Sequence, residues 1–238
     1  MKKRSFDDHK FRCSSLGKIM TNSRSKKDPL SVTCKNYLQE IHKEVVFGKT
    51  REIQSKYLDK GNQVEDLSIS LYNMINASSY QKNVISFTND FISGTPDILS
   101  DQLIDIKSSW DFTTFPMHQQ SLPSKDYYWQ MQGYMMLTEK KICKVAYCLV
   151  DTPETLIQDE LRRLSWNLGM IEVPMDLESE VYERLQYSDI PDELRVKEFI
   201  IEYNEQDIES LKKRIDLCRE YLSEININVA EKLRSSII

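Results

Sequence analysis

The sequence predicts an α/β chain: a small mixed β-sheet flanked by helices, with a long helix towards the C-terminus. Three observations predict it. Residues 97–107 read as two short strands around a polar turn, and residues 144–150 as a mostly apolar strand. Apolar residues recur at three- and four-residue steps in several other stretches. The 238 residues suit one domain over 1–238, with a core over about 12–168 and a terminal strand and helix over about 195–230.

The elements follow in order. Residues 1–12 are polar and charged and read as an arm. Residues 13–20 read as a short helix capped by Ser14 or Ser15, either an ordinary cap or a place where a helix start holds a phosphate. Residues 21–30, with Arg24, Lys26 and Lys27, form a basic loop that is simply solvated or lies along a DNA backbone. Val32, Tyr37, Leu38, Ile41 and Val45 predict a helix over 31–47, closed by Gly48. A helix or helix pair is expected over 52–77. In it Val64, Leu67, Leu71 and Met74 face the core and Glu65 lies beside them.

Residues 83–88 read as a strand, Asn89-Asp90 as a turn and 91–93 as a return. Gly94-Thr95-Pro96 then bends the chain, and a proline without an amide donor suits the strand start that follows. Residues 108–125 are a long connection whose Trp110, Phe112 and Phe115 either stack on bases or pack beneath the loop. A helix over 126–138 places Gln130 and Tyr134 on one face with Tyr127 beside them and Gln132 elsewhere. The 144–150 strand belongs in the middle of the sheet. A helix over 154–168 carries Arg162 and Arg163, on the surface or against phosphates. Residues 171–177 are irregular, 178–187 form a short helix and 195–203 a strand. Asn204 caps a long helix with Ile208, Leu211, Ile215, Cys218, Leu222 and Ile225 at heptad-like steps. That stripe packs on its own domain or on another subunit.

Composition narrows the function. A net charge of −5 argues against a general nucleic-acid coat, whose domains are basic, but not against a nuclease. The five cysteines (Cys13, Cys34, Cys143, Cys148, Cys218) include no C-x-x-C pair, so no zinc or iron–sulfur site is expected. Their odd number fits reduced thiols in a cytoplasm. The three histidines have no metal-ligand spacing. No run approaches the roughly 18 apolar residues of a membrane span. The basic start has no apolar stretch after it and is not read as a signal peptide.

The chemistry sits in the 97–107 hairpin. Side chains two apart on a strand share a face, so Asp105 and Lys107 point together and Ile104 and Ile106 point away. Asp97 opens the partner strand. Two carboxylates and an ammonium therefore converge. Adjacent carboxylates repel unless a cation lies between them, and a hard divalent ion is the natural one for oxygen ligands. With a lysine to position water or steady phosphate charge, this is a layout for metal-assisted phosphodiester hydrolysis. A plain hairpin with solvated charges is the bland alternative.

Pro96-Asp97 followed by Asp105-Ile106-Lys107 resembles the signature of the PD-(D/E)XK nuclease superfamily. Residues 60–65 (Lys-Gly-Asn-Gln-Val-Glu) ahead of it and 128–134 (Tyr-Trp-Gln-Met-Gln-Gly-Tyr) after it make the likeness more specific. Over roughly Arg12 to Val150 the order is similar to the phage lambda exonuclease and YqaJ-like viral recombinase family. The resemblance implies a restriction-endonuclease-like fold and a Mg²⁺-dependent exonuclease, with Mn²⁺ as an alternative and two ions per site. It would digest the 5′ strand of double-stranded DNA ends and leave 3′ overhangs for recombination. By the same resemblance Asp97, Asp105 and the Ile106 carbonyl bind metal, Glu65 supports it, Lys107 activates water and Gln130 positions water or phosphate. Gly61 would allow close backbone approach. Ser15, with Ser14 and Arg12, would meet the 5′-phosphate. A homotrimer around DNA, a single-strand annealing partner, and a phage or prophage origin acting in the bacterial cytoplasm are also implied. Two alternatives stand beside it: a structure-selective or helicase-coupled endonuclease of the same superfamily, and a non-catalytic DNA-end-binding protein.

Overall fold

The computed structural model describes residues 5–50 and 55–235, without the side chains of 230–235. The first four residues of the expected arm and the start of the helix expected over 52–77 lie outside the described residues. In chain order the elements are β1 (Phe11–Arg12), a 3-10 turn at Cys13–Ser15 running into α1 (Leu16–Ile19), α2 (Val32–Phe47) and α3 (Lys56–Ile75). Then come β2 (Phe87–Thr88), β3 (Ile92–Gly94), β4 (Ile98–Leu99), β5 (Leu103–Ser108), α4 (Lys125–Thr138) and β6 (Ile142–Cys148). The chain continues through α5 (Glu154–Leu168), α6 (Met175–Leu185), β7 (Val196–Glu202) and α7 (Glu205–Ser235).

The main sheet has the order β4-β5-β6-β7 and is mixed as expected, with β5 parallel to β6 and the outer pairs antiparallel. Parallel neighbours need a crossover, supplied here by the 109–124 connection and α4. Alternation along the strands divides the core. Leu103, Val145, Tyr147, Phe199 and Ile201 face α4, α2 and α7. Ile104, Ile106, Ala146 and Cys148 face α3. A third cluster joins Trp110 to α5 and α6. β1, β3 and β2 make a second small sheet. The α7 stripe (Ile208, Leu211, Ile215, Cys218, Leu222) is buried in its own domain.

Several expectations need correction. The 83–88 strand shrinks to Phe87–Thr88, because Asn83 spends its backbone N–H on the Asp97 carbonyl and its side chain on Pro96. Val84 and Ile85 are left exposed. On α3 the buried row is Lys60, Val64, Ser68, Leu71 and Tyr72, while Leu67 and Met74 face outward. Packing on Ile104 and Ile106 selects that row. Gly61 has open space where a Cβ would stand, so no other part of the described chain approaches it closely. The short helix over 13–20 exists, but no serine side chain caps it, because it starts directly from the 3-10 turn. Residues 11–12, expected in an arm, pair with β3.

Candidate active site

The hairpin builds the site. Ile98 pairs with Ile104 and Leu99 with Leu103, and the same register sets Asp97 opposite Asp105. Asp97 Oδ2 accepts the Ile106 N–H at 2.8 Å. In an extended strand a residue's N–H and C=O point to the same side, so the Ile106 carbonyl faces Asp97 too. Asp105 is wholly buried on the sheet face that otherwise packs α4. Gln130 Nε2 lies 3.5 Å from its Oδ1. Lys107 Nζ lies 2.6 Å from its Oδ2, an oxygen with no hydrogen-bond partner of good geometry among the described residues. Lys107 Nζ also stands 4.6 Å from the Tyr127 ring centre, a favourable cation–π distance.

The electrostatics follow from burial and crowding. Burial, then repulsion from Asp105, pushes the Asp97 carboxyl up to about 7. Burial also raises Asp105, against the pull of Lys107. For Lys107, burial works to lower the pKa, but the charges of Asp105 and Asp97 outweigh it and hold the ammonium above its usual value. Glu65 is near enough for its charge to raise both aspartates, yet its carboxylate pairs with Lys82 at 2.5 Å.

These residues fit a hard divalent cation. Two hard carboxylates crowd one point, burial and their mutual repulsion raise the pKa of Asp97, which favours a cation between them, and Asp105 has an oxygen met only by an ammonium. Among the described residues no third His, Cys, Asp or Glu joins them to complete a three-residue set. Glu65 would have to leave Lys82 to do so.

A second feature adjoins the hairpin. Arg12, Ser14, Ser86, Ser93, Thr95 and Tyr134 line a cleft of about 230 Å³. Tyr134 Oη donates to the Thr95 carbonyl at 3.2 Å and accepts from Gln130 Nε2 at 3.0 Å. The cleft is therefore one side chain from Asp105. Ser15 is not in its lining and instead meets Tyr37 as a hydrogen-bond partner. Glycines hold the wall together. A Cβ at Gly17 would stand 2.5 Å from the Asp126 Cα, at Gly133 2.6 Å from Leu16, and at Gly94 2.7 Å from Tyr134.

The structure thus gathers Asp97, Asp105, Ile106, Lys107 and Gln130, and brings Arg12 and Ser14 beside them. Gln132 stays apart, bridging the Glu202 carbonyl and the Asn204 N–H. Arg162 and Arg163 pair with Asp159 and Glu160. Trp110 is buried and Phe112 exposed. Sequence reasoning missed Lys82, Ser86, Ser93 and Thr95. Lone polar residues on irregular backbone or on a three-residue strand leave no periodic signal.

No protein-family model and no curated protein matches the chain. Solved structures do. A phage-related exonuclease from Haemophilus somnus 129PT is 27% identical, with a TM-score of 0.75 over 92% of this chain and 96% of that one. The alkaline exonuclease LHK-Exo from Laribacter hongkongensis matches in fold at 17% identity and a TM-score of 0.65, over 96% of this chain and 95% of its own. Its complex with dAMP matches at 0.64 over 95% and 94%. The fold is that of these phage-related and alkaline exonucleases. These neighbours support the likeness of the chain to the lambda exonuclease and YqaJ-like viral recombinase family.

Proposed function

We propose that the protein is a metal-dependent exonuclease that digests double-stranded DNA from its 5′ ends and leaves 3′ overhangs for recombination. The observation that carries this reading is the convergence of Asp97, Asp105, Lys107 and Gln130 beside the Arg12–Ser14 cleft. Asp97, Asp105 and the Ile106 carbonyl would hold Mg²⁺ or Mn²⁺, with Glu65 supporting one of two ions once free of Lys82. The bound cation would supply Lewis acidity and lower the cost of making hydroxide near neutral pH.

The chain's own residues do the rest. Lys107, kept protonated by two carboxylates, donates to the attacking water or the phosphate oxygen and steadies developing negative charge. Gln130, already fixed by Tyr134, presents its amide beside Asp105 to orient water or phosphate. Water adds to phosphorus and the bond to the 3′-oxygen of the terminal nucleotide breaks. That releases a 5′-mononucleotide and leaves a new 5′-phosphate. Arg12 and Ser14, with Ser86 and Ser93, offer a cation and hydroxyls for that phosphate, so each cut regenerates the group the cleft holds. The LHK-Exo complex with dAMP fits a mononucleotide product.

The test is digestion of linear duplex DNA carrying separate 5′ and 3′ labels, with Mg²⁺ or Mn²⁺ and a closed-circle control. Early loss of 5′ label from linear DNA alone, abolished in Lys107→Ala, is the expected result. Cutting of the circle would reassign the protein to the endonucleases. End binding without cleavage in either metal would leave a non-catalytic end-binding protein. A homotrimer and a single-strand annealing partner belong to the same reading. No described helix is long and apolar enough to cross a membrane, and work in a bacterial cytoplasm on phage or prophage DNA fits the exonuclease role.

A further inference from the structure

Lys60 is buried without any exposed surface on α3. Among the described residues no carboxylate forms an ion pair with it. Its Nζ instead donates to two backbone carbonyls, Trp110 and Val150, each at 2.9 Å. The Trp110 and Tyr187 ring centres lie 6.0 and 5.6 Å away. Burying an ammonium without a counter-ion is costly, and a methionine of similar length would fill the space without that cost. The two carbonyls are informative. Trp110 lies just past the end of β5, after Ser109, whose N–H extends the ladder to the Cys148 carbonyl. Val150 lies just past the end of β6. One ammonium therefore ties α3 to the outgoing ends of the two central strands, three residues beyond Lys107 on the first of them. Five residues further along α3 stands Glu65.

We propose that Lys60 is a positioning residue for the hydrolytic site: its ammonium pins α3 to the ends of β5 and β6 and so holds Glu65 in register with Asp97, Asp105 and Lys107. The surroundings agree. Burial lowers the Lys60 pKa to about 8, and the nearby Asp111 and Asp151 oppose the fall. Both of those carboxylates are already engaged, Asp111 with Thr113 and Thr114 and Asp151 with Tyr187 and Ser188. Carbonyl oxygens thus remain the main partners of the ammonium.

The inference rests on the proposed nuclease reading, so its test has one arm that needs no catalysis. Hydrogen exchange is measured on metal-free wild type and Lys60→Met, at a temperature where both are folded. Faster exchange confined to residues 109–115, 149–152 and the first turns of α3 is expected. Steady-state digestion of linear duplex DNA should then show kcat down about tenfold or more with KM changed less than about twofold, the mark of a lost transition-state interaction. Lys60→Gln, which keeps a donor, should recover part of both effects, and it replaces Lys60→Met if that variant does not fold. Uniformly faster exchange with unchanged kcat per folded molecule would overturn the proposal and make Lys60 a packing residue. Unchanged exchange and unchanged kcat would overturn it as well. Wild type that cuts no DNA would sink the nuclease reading, and the exchange arm would still decide whether Lys60 pins the strand ends.

Discussion

At the scale of single residues, burial shifts the protonation equilibria of Asp97 and Lys60 away from those they have in water. Their signs are opposite, and each makes a prediction. The folded protein keeps a proton on Asp97 up to about pH 7, whereas an unfolded aspartate releases it near about 3.9. Between those values the folded state binds more protons. Metal-free stability should therefore fall as pH rises from about 4 to about 7. Melting temperatures across that range check this: Asp97→Asn should flatten the slope, and millimolar Mg²⁺ should restore stability at the alkaline end. Lys60 runs the other way. Its folded pKa of about 8 lies below that of an unfolded lysine, so the unfolded state binds more protons between about 8 and about 10.4. Relative to Lys60→Met, wild type should gain stability with rising pH in that window, by paired urea titrations. For the reaction itself, Lys107→Ala should lower kcat by about a hundredfold or more, as loss of a positioned proton donor does, in the end-labelled digestion.

At the scale of elements, the hairpin was fully legible. The spacing of Asp97, Asp105 and Lys107, with strand alternation, is enough to bring all three to one point. The residues of α4 were legible for the same reason: Gln130 and Tyr134 lie four apart on a helix and do share a hydrogen bond. What failed was rotation and irregularity. The burial face of α3 depends on which side Ile104 and Ile106 present, and helical periodicity alone could not distinguish the Leu67 row from the Lys60 row. The Arg12–Ser14 cleft was half legible. The residues near the short helix were named, but Ser14 rather than Ser15 lines the cleft, because a 3-10 turn rotates the serines relative to an ordinary cap. Gly17 and Gly133 are the unheralded contributors, letting α1 lie directly on α4. Gly17→Ala should cost about 1–3 kcal/mol by forcing the two apart, read from urea unfolding. It should also raise KM for 5′-phosphorylated ends more than it lowers kcat.

At the scale of the whole molecule, one mixed sheet separates two tasks. One face is largely apolar under α3, broken by the Lys60 ammonium and by the Lys144–Glu198 pair towards β7. The other is apolar under α4 and α7 except where Asp105 and Lys107 interrupt it. That interruption is tolerable because Gln130, Tyr127 and Asp97 supply polar or π partners. The trimer implied by the resemblance should appear in sedimentation as a mass three times that of the chain, and a sedimenting monomer would overturn it.

The sheet's connectivity also matters while the chain is being made. β6 (Ile-Cys-Lys-Val-Ala-Tyr-Cys) finds its outer neighbour only when β7 arrives, about fifty residues later. At about 5–20 residues per second of synthesis, that leaves a largely apolar strand with one open edge for several seconds. Such an edge is a template for pairing with another nascent chain. Lys144, in the middle of the strand and joined to Glu198 of β7 in the finished fold, is the one charge guarding it on the ribosome. Its replacement by an apolar residue should show first as insoluble protein in the expressing cell, before any loss of activity in what folds.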